Sequence, residues 1–157
     1  MASEQGDVRS ELPACPAERP EQWSGVRVGG MVKTPMFISL QELTAMPQVE
    51  SMQDVKCYDG WVAPGQLWEG VDLSAVLSLA GYSEDAGFVS ASCLDFRSSL
   101  TLEEALATGT MLALKLNGQP LPEKHGGPCR LVAADKMGPH FVKLPERIEV
   151  TREAPDA

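Results

Sequence analysis

Residues 111–134 read MLALKLNGQPLPEKHGGPCRLVAA, and they carry the strongest structural signals in the chain. The apolar run Met111–Leu116 predicts a buried strand that continues into Asn117-Gly118, a dipeptide typical of two-residue hairpins. A second strand is predicted at Arg130–Ala134. The glycines and prolines before it predict a tight loop that contains one histidine and ends at an arginine. We therefore expect antiparallel strands that present a polar loop.

Outward from this stretch, the chain contains short helices and strands. Two capping boxes, Ser39-Leu-Gln-Glu42 and Thr101-Leu-Glu-Glu104, each predict the start of a helix. A third helix is indicated by the apolar spacing of Leu73–Ala80, before Gly81. Further strands are predicted at 25–30, 54–58, 88–93 and 140–150. Three short helices and six or seven strands in irregular order predict an α+β fold with a mixed or antiparallel sheet.

Length and composition indicate a single globular domain. The chain has 157 residues, of which 43% are apolar and 22% are charged, a balance that allows one buried core. We expect a flexible amino-terminal tail at 1–22, one domain at 23–151 and a short tail at 152–157. No apolar run approaches the ~20 residues of a membrane-spanning helix. A net charge of −9 argues against binding to nucleic acid or anionic lipid.

Positive charge is concentrated near the carboxyl terminus. The segment 115–157 holds seven Lys/Arg and six Asp/Glu, together with both histidines of the chain. The first 114 residues hold six Lys/Arg and sixteen Asp/Glu. This asymmetry indicates an anion-binding site in the last quarter of the chain, although chance clustering would give the same pattern.

The cysteines favour a reducing compartment. Cys15, Cys57, Cys93 and Cys129 are widely spaced and form no CxxC pair, so neither a zinc ribbon nor a thioredoxin-like motif is expected. The first residues are acidic and polar and lack the apolar region of an export signal. We therefore expect free thiols and a cytoplasmic protein.

Cys57 is the first candidate for chemistry. It ends a predicted strand and precedes Tyr-Asp-Gly-Trp, so its thiol is placed to face a cleft beside a turn. The neighbouring Lys56 would favour the thiolate, although adjacent side chains of a strand point to opposite faces. The alternative is a small buried apolar side chain, which is the commoner role of a lone cysteine.

The loop His125-Gly-Gly-Pro-Cys-Arg130 is the second candidate, and Lys136, His140 and Lys143 follow it. Glycines expose backbone amides, arginine offers a planar fork of donors, and lysine offers a point charge. These are the groups with which proteins hold phosphate. The alternative interpretation is a polar turn flanked by solvated charges.

Two weaker hypotheses concern other residues. Arg97, in the triplet Asp95-Phe96-Arg97, is predicted to lie in a loop, where it lines a pocket or is simply exposed. A zinc site is conceivable, but neither histidine has a closely spaced ligand partner. That zinc site would consist of Cys57, His125, Cys129 and His140.

Several segments, in order along the chain, together resemble the sulfite oxidase family and its bacterial relatives. One similarity is to the segment that carries the family's cofactor cysteine, and it covers Cys57-Tyr-Asp-Gly-Trp61 and Trp68-Glu-Gly-Val-Asp-Leu73. A second resembles another family signature and covers 117–132, Gly138, Val142-Lys143 and Arg147-Ile-Glu-Val150. The family's usual opening is similar to 30–35 and 39–47. The resemblance therefore runs from Val26 to Val150.

This resemblance implies an α+β fold that binds a molybdenum–molybdopterin cofactor. Cys57 matches the thiolate that ligates molybdenum, a role that suits a soft, deprotonated sulfur. Arg97 is a candidate for steering an oxyanion substrate. The predicted cofactor-binding residues are His125, Gly126, Arg130, His140 and Lys143.

The implied activity is that of an oxidoreductase which transfers an oxygen atom on a small oxyanion or a sulfoxide-type substrate. In this interpretation Cys57 anchors the metal, and the protein supplies binding and orientation. Because the chain has no haem or flavin motif, a separate electron-transfer protein is the expected partner.

Departures from the family leave alternatives open. Sulfite oxidases carry an arginine-rich stretch after the cysteine and an upstream Arg-Asn-His motif, and neither is seen here. The chain is therefore nearer the reductase-like branch or an uncharacterised branch of the family. One alternative is a non-catalytic molybdopterin-binding or carrier module, or a degenerate member with an empty site. Another is a thiol-based redox protein that uses Cys57 alone.

Overall fold

The computed structural model describes residues 7–9, 11–13, 19–56, 60–134 and 141–154. Eleven strands lie in these residues: β1 (Asp7–Val8), β2 (Gly25–Gly30), β3 (Met36–Ser39), β4 (Val49–Lys56), β5 (Trp61–Asp72), β6 (Phe88–Cys93), β7 (Phe96–Thr101), β8 (Met111–Leu116), β9 (Gln119–Pro120), β10 (Arg130–Val132) and β11 (Arg147–Thr151). The α-helices are α1 (Leu40–Ala45), α2 (Leu73–Ala80) and α3 (Leu102–Ala105), and a 3₁₀ turn covers Glu123–His125. None of these described helices has the length and apolar character needed to cross a bilayer.

The first sheet is built around the long strand β5. Its order is β1-β5-β8-β10, with β4 also paired to β5 and β9 to β8. β1 runs parallel to β5, and the other pairs are antiparallel. The predicted hairpin at Asn117-Gly118 joins β8 to β9, and both residues have the positive φ that a type I′ turn requires.

The second sheet joins the two ends of the domain. Its order is β3-β2-β11-β6-β7. β2 and β11 run parallel, and the other neighbours are antiparallel. Two mixed sheets with a few short helices confirm the predicted α+β, single-domain fold.

One cluster of buried apolar side chains joins both sheets and the helices. The first sheet contributes Trp68 and Leu112, the second contributes Val28 and Ile148, and α2 contributes Leu77, all of them fully buried. Burying each such side chain stabilises the fold by about 1.5–3 kcal/mol. This core holds the strand ends from which the loops of the candidate site leave.

Local signals set the helix starts as predicted. At α1, the Ser39 hydroxyl accepts from the Glu42 amide at 3.1 Å, and the Glu42 carboxylate accepts from the Ser39 amide at 3.0 Å. Thr101 and Glu104 make the same reciprocal pair at α3, at 3.1 and 2.9 Å. Both capping boxes are therefore confirmed.

Strand β5 was not predicted from the sequence. Pro64 and Gly65 interrupt its apolar pattern, and they read as a break. In the structure they form a bulge opposite Asp54, whose carboxylate accepts from the Gly65 amide at 2.8 Å. A bulge lets the strand continue past a proline that cannot donate to the ladder.

The prediction that Arg97 lies in a loop is wrong. Residues Phe96–Thr101 pair with β6 and form strand β7, so Arg97 is a strand residue opposite Ser92. The tight turn at Leu94 and Asp95 is shorter than the predicted loop. The total of eleven described strands also exceeds the six or seven expected.

Described residues from the stretch assigned to an amino-terminal tail contact the domain. Asp7 and Val8 pair with Trp61 and Val62, and Leu12 is buried. Arg19 donates hydrogen bonds to the loop that precedes β10. The domain boundaries stay a prediction.

Candidate functional site

A tight turn before β10 carries His125. The His125 amide donates to the Pro122 carbonyl at 3.0 Å, and the Gly126 amide donates to the Glu123 carbonyl at 3.0 Å. Gly126 then ends the turn in the left-handed conformation, with φ of 94°. Both hydrogen bonds join residues three positions apart. The predicted His-Gly-Gly-Pro loop is therefore a tight, hydrogen-bonded turn and not an extended loop.

Arg130 is the buried cation of the site. Its Nε donates to the Phe141 carbonyl at 3.2 Å, and its Nη1 lies 3.4 Å from the His125 carbonyl. The guanidinium carbon lies 5.5 Å from the ring centre of Trp68 and 5.6 Å from that of Phe141. Two aromatic faces therefore stabilise a charge that burial would otherwise penalise.

Lys143 lies against the same turn. Its backbone bridges to Arg130, and its Nζ donates to the Lys124 carbonyl at 3.1 Å. Its side chain passes over Gly126, where a β-carbon would lie 2.7 Å from Lys143 Cγ. The structure thus brings together four of the predicted cofactor-binding residues, namely His125, Gly126, Arg130 and Lys143.

His125 is buried, and its Nδ1 has no hydrogen-bond partner among the described residues. Burial is the main cause that lowers its pKa to about 4, and the cations Arg130, Lys124 and Lys143 lower it further. Only Glu11 acts in the opposite direction. At neutral pH the imidazole of His125 is therefore uncharged. It lies among cations, and its Nδ1 is available to bind a ligand.

The cofactor-free protein is expected to lose stability as the pH falls from about 6.5 towards 4. Because the folded pKa of His125, about 4, lies below its ordinary value of 6.5, the unfolded chain binds the proton more tightly. This contribution, roughly 2–3 kcal/mol, is fully present above the unfolded pKa and is lost as the pH falls through the folded pKa. Urea unfolding across this range measures it. His125→Gln should flatten the dependence, and an unchanged slope would contradict the assignment.

Gly126→Ala is expected to destabilise the protein by about 2–3 kcal/mol, since it combines an unfavourable φ with a clash against Lys143. Gly118→Ala is the matched control, because Gly118 also has a positive φ, 83°, but open space around its Cα. The control should cost only about 1 kcal/mol. Chemical denaturation measures the free energy of unfolding of both variants. Equal losses would show that the Lys143 side chain moves aside without cost.

The sequence did not predict a role for Arg19, which forms hydrogen bonds to the turn that carries His125. Its guanidinium donates to the carbonyls of Glu123 and Gly127, each at 2.9 Å. The sequence offers no signal for this role, because Arg19 falls in an acidic, proline-rich stretch. The aromatic residues Trp68 and Phe141 were also missed as partners of Arg130, although Trp68 belongs to a segment noted for its family resemblance.

Three predicted site residues remain, namely Cys57, Arg97 and His140. Cys57 and His140 lie outside the described residues, so their predicted roles stay predictions. Arg97 lines a separate cleft on the second sheet, together with Arg27 and Arg147. Its predicted role in steering an oxyanion also stays a prediction.

The described residues do not support the zinc hypothesis. Among them, no three His, Cys, Asp or Glu side chains come together in a metal-binding group. Cys129 is fully buried, and burial raises the pKa of its thiol far above the ordinary value. Burial also raises the pKa of Cys93 to about 11, with a further contribution from Glu146. Both are free thiols rather than thiolates at neutral pH.

The turn before β10 thus brings a buried arginine, two lysines and an uncharged histidine together, an arrangement whose chemistry suits an anion. Residues 12–157 match the family model described as the oxidoreductase molybdopterin binding domain. The chain therefore belongs to this family, as the resemblance implied.

Relatives and a solved structure agree with this assignment. Uncharacterized oxidoreductase YuiH of Bacillus subtilis is 34% identical over 110 residues, which are 69% of this chain and 55% of that protein. The protein-methionine-sulfoxide reductase catalytic subunit MsrP of Xanthomonas axonopodis pv. citri is 31% identical over 150 residues, with 83% of this chain and 46% of that protein covered. The chain thus spans about half the length of these curated relatives.

The fold similarity extends to the sulfane dehydrogenase SoxCD of Paracoccus pantotrophus. The TM-score is 0.80 at 22% identity, and the match covers 90% of this chain and 41% of that chain. At this identity the likeness shows the shared fold.

Proposed function

We propose that the protein is a molybdenum–molybdopterin oxidoreductase that reduces a sulfoxide and receives its electrons from a separate electron-transfer protein. Membership of the molybdopterin-binding family supports the cofactor. The name of the relative MsrP supports the substrate class and the reductive direction, and the word subunit in that name supports a partner.

The observation that carries the proposal is the Nδ1 of buried His125, which has no hydrogen-bond partner in the described part of the chain and lies beside three cations. A polar atom buried without a partner costs about 1–3 kcal/mol, and the nearby like charges of Arg130, Lys124 and Lys143 repel one another. A dense anion such as the pterin phosphate offsets both costs, because it accepts hydrogen bonds and neutralises charge. The residues present therefore fit the cofactor.

Each residue of the cluster has a distinct part in this proposal. Arg130 holds the anion with a guanidinium that packs beside two aromatic rings, and Lys143 supplies a second charge from its position over Gly126. Gly126 leaves the room in which the Lys143 side chain lies. His125 gains a proton more readily once an anion is bound, so cofactor binding is coupled to proton uptake below about pH 6.5.

When bound, the cofactor supplies a metal that changes by two electrons and exchanges an oxygen atom. The overall reaction is balanced: a sulfoxide, two electrons and two protons give a sulfide and water. Cys57 is the predicted metal ligand, and it follows the last residue of β4 directly in the chain. The chain's contribution is to bind and orient the cofactor and to admit the substrate.

Protein purified from its own host tests the proposal. Molybdenum near one atom per chain, a matching amount of pterin, and oxidation of an artificial electron donor with methionine sulfoxide are the expected results. Cys57→Ser should lose metal and turnover, whereas the matched control Cys15→Ser should keep both.

The other outcomes select the alternatives. Stoichiometric pterin without turnover would contradict the proposed enzymatic function and indicate a carrier module. Native-host protein with neither molybdenum nor pterin would indicate an empty scaffold. A Cys57→Ser variant with full metal content and turnover would remove Cys57 from the site.

A further inference from the structure

Three arginines form a row across the outer face of the second sheet. Arg27 on β2 pairs in register with Arg147 on β11, which pairs with Ser92 on β6, which pairs with Arg97 on β7. Residues in register on neighbouring strands share a face of the sheet. All four line an open cleft of about 480 Å³ on that face.

This row places like charges next to one another on one face of the sheet. Like charges directly opposite on neighbouring strands are unfavourable, and Arg27 and Arg147 stand in that relation. The cleft also contains Glu149, which pairs with Arg147 at 3.2 Å, and Glu146, whose carboxylate accepts from the Leu94 amide at 2.9 Å. The three arginines still outnumber the two carboxylates, in a protein with a net charge of −9.

The cleft also has exposed apolar groups at its two ends. Phe37 is 44% exposed and lies under the Arg27 guanidinium, whose carbon is 5.8 Å from the ring centre. Leu94 is 45% exposed at the other end, beside Arg97. Arginine and aromatic residues are enriched in protein interfaces, so this composition favours a protein partner.

Leu94 is held in a strained backbone conformation. Its φ is 53°, in the left-handed region that suits glycine or asparagine and disfavours leucine. A leucine kept there with nearly half its surface exposed gives up local stability without burying its side chain. Leu94 is the first residue of the two-residue turn that joins β6 to β7, and such hairpin turns require a positive φ. The turn therefore fixes an exposed leucine at the end of the cleft.

We propose that this arginine cleft binds an extended acidic segment of a partner protein. Arg27 and Arg97 are three strand spacings apart, about 14 Å. Two acidic side chains four residues apart on an extended peptide are separated by about the same distance. The segment lies across the strands, its carboxylates on the arginines and its apolar side chains on Phe37 and Leu94. A single small anion spans too little of the row to contact both ends.

Fluorescence anisotropy with the full chain tests the proposal. The probe is a labelled peptide with two glutamates four positions apart and a leucine and a phenylalanine at its ends. Arg27→Gln and Arg97→Gln should each weaken binding about five- to tenfold. Arg152→Gln, an exposed arginine outside the cleft, is the charge-matched control and should change affinity less than about twofold. Leu94→Asn should raise the unfolding temperature of the protein and still weaken its binding of the peptide.

Every contrary outcome overturns the proposal. These outcomes are no binding at low ionic strength, equal binding of a peptide with glutamine in place of glutamate, and equal weakening by Arg152→Gln. Equal affinity for glutarate would assign the cleft to a small dicarboxylate instead. Weakening by Lys124→Gln alone would place the peptide on the basic turn. Because the assay needs no cofactor, its failure is distinct from a failure of the proposed oxidoreductase function.

Discussion

Arg130→Met is expected to release the cofactor from a protein that stays folded. Methionine keeps much of the side-chain volume beside Trp68 and Phe141 but removes the charge. Losing one partner of a buried, hydrogen-bonded charge pair costs about 2–5 kcal/mol, which lowers cofactor affinity roughly 30- to 5,000-fold. Pterin and molybdenum retained after gel filtration measure the effect.

The free energy of unfolding distinguishes loss of cofactor binding from loss of the folded structure. The substitution removes the buried hydrogen bond to the Phe141 carbonyl, so the unfolding free energy of the cofactor-free variant should fall by about 1–3 kcal/mol, a loss that leaves the protein folded. Arg152→Met, on the exposed surface, is the control and should retain the cofactor. An Arg130→Met protein that keeps one cofactor per chain under the same conditions would show that Arg130 does not hold it.

Trp68→Ala is expected to be the most destabilising single substitution considered for this protein. The side chain is fully buried on β5, meets the Phe141 ring edge-on at 6.0 Å between centres, and lies under the Arg130 guanidinium. Truncation leaves a cavity and removes an aromatic face from a buried cation, at a cost of about 3–5 kcal/mol. The midpoint of urea unfolding, at constant slope, measures the loss.

Trp68→Phe is the matched comparison. It keeps an aromatic ring beside Arg130 but deletes the indole N–H, which has no partner among the described residues. Since no such hydrogen bond is broken, the cost in the cofactor-free protein should be only about 1–2 kcal/mol, from the smaller ring. If this variant loses as much stability as Trp68→Ala, the N–H is bonded to a group outside the described residues.

Local elements could be predicted because their causes lie within a few residues. The capping boxes at Ser39 and Thr101 formed as expected, since each needs only a side chain and the amides of the next turn. Strands 25–30, 88–93 and 111–116 have the predicted bounds. Their patterns of apolar residues and flanking turns are also local properties.

Elements that depend on a partner could not be predicted in this way. Strand β5 continues through Pro64 and Gly65 because these two residues bulge opposite Asp54 of β4, and the sequence of β5 alone reads as a break. Strand β7 exists because Phe96–Thr101 pairs with β6, although its polar residues suggested a loop. In both cases the hydrogen bonds of a neighbouring strand override a weak local preference.

The candidate site also combines features that the local sequence predicts with features that depend on distant residues. The loop His125–Arg130 could be recognised as an anion-binding candidate from its glycines, histidine and arginine. Its support by Arg19 and the two aromatic faces could not, because those residues come from distant parts of the chain. The separation of Arg97 from the loop is likewise a result of sheet order.

The sequence by itself determined the class of fold, the helix starts, the hairpin and the loop that carries His125, Gly126 and Arg130. Only the tertiary structure decided which cations are buried. Arg130 packs beside two aromatic rings in the interior, whereas Arg27, Arg97 and Arg147 share the outer face of a sheet. The physical reason is that burial and like-charge proximity depend on strand order and register, which no single segment contains.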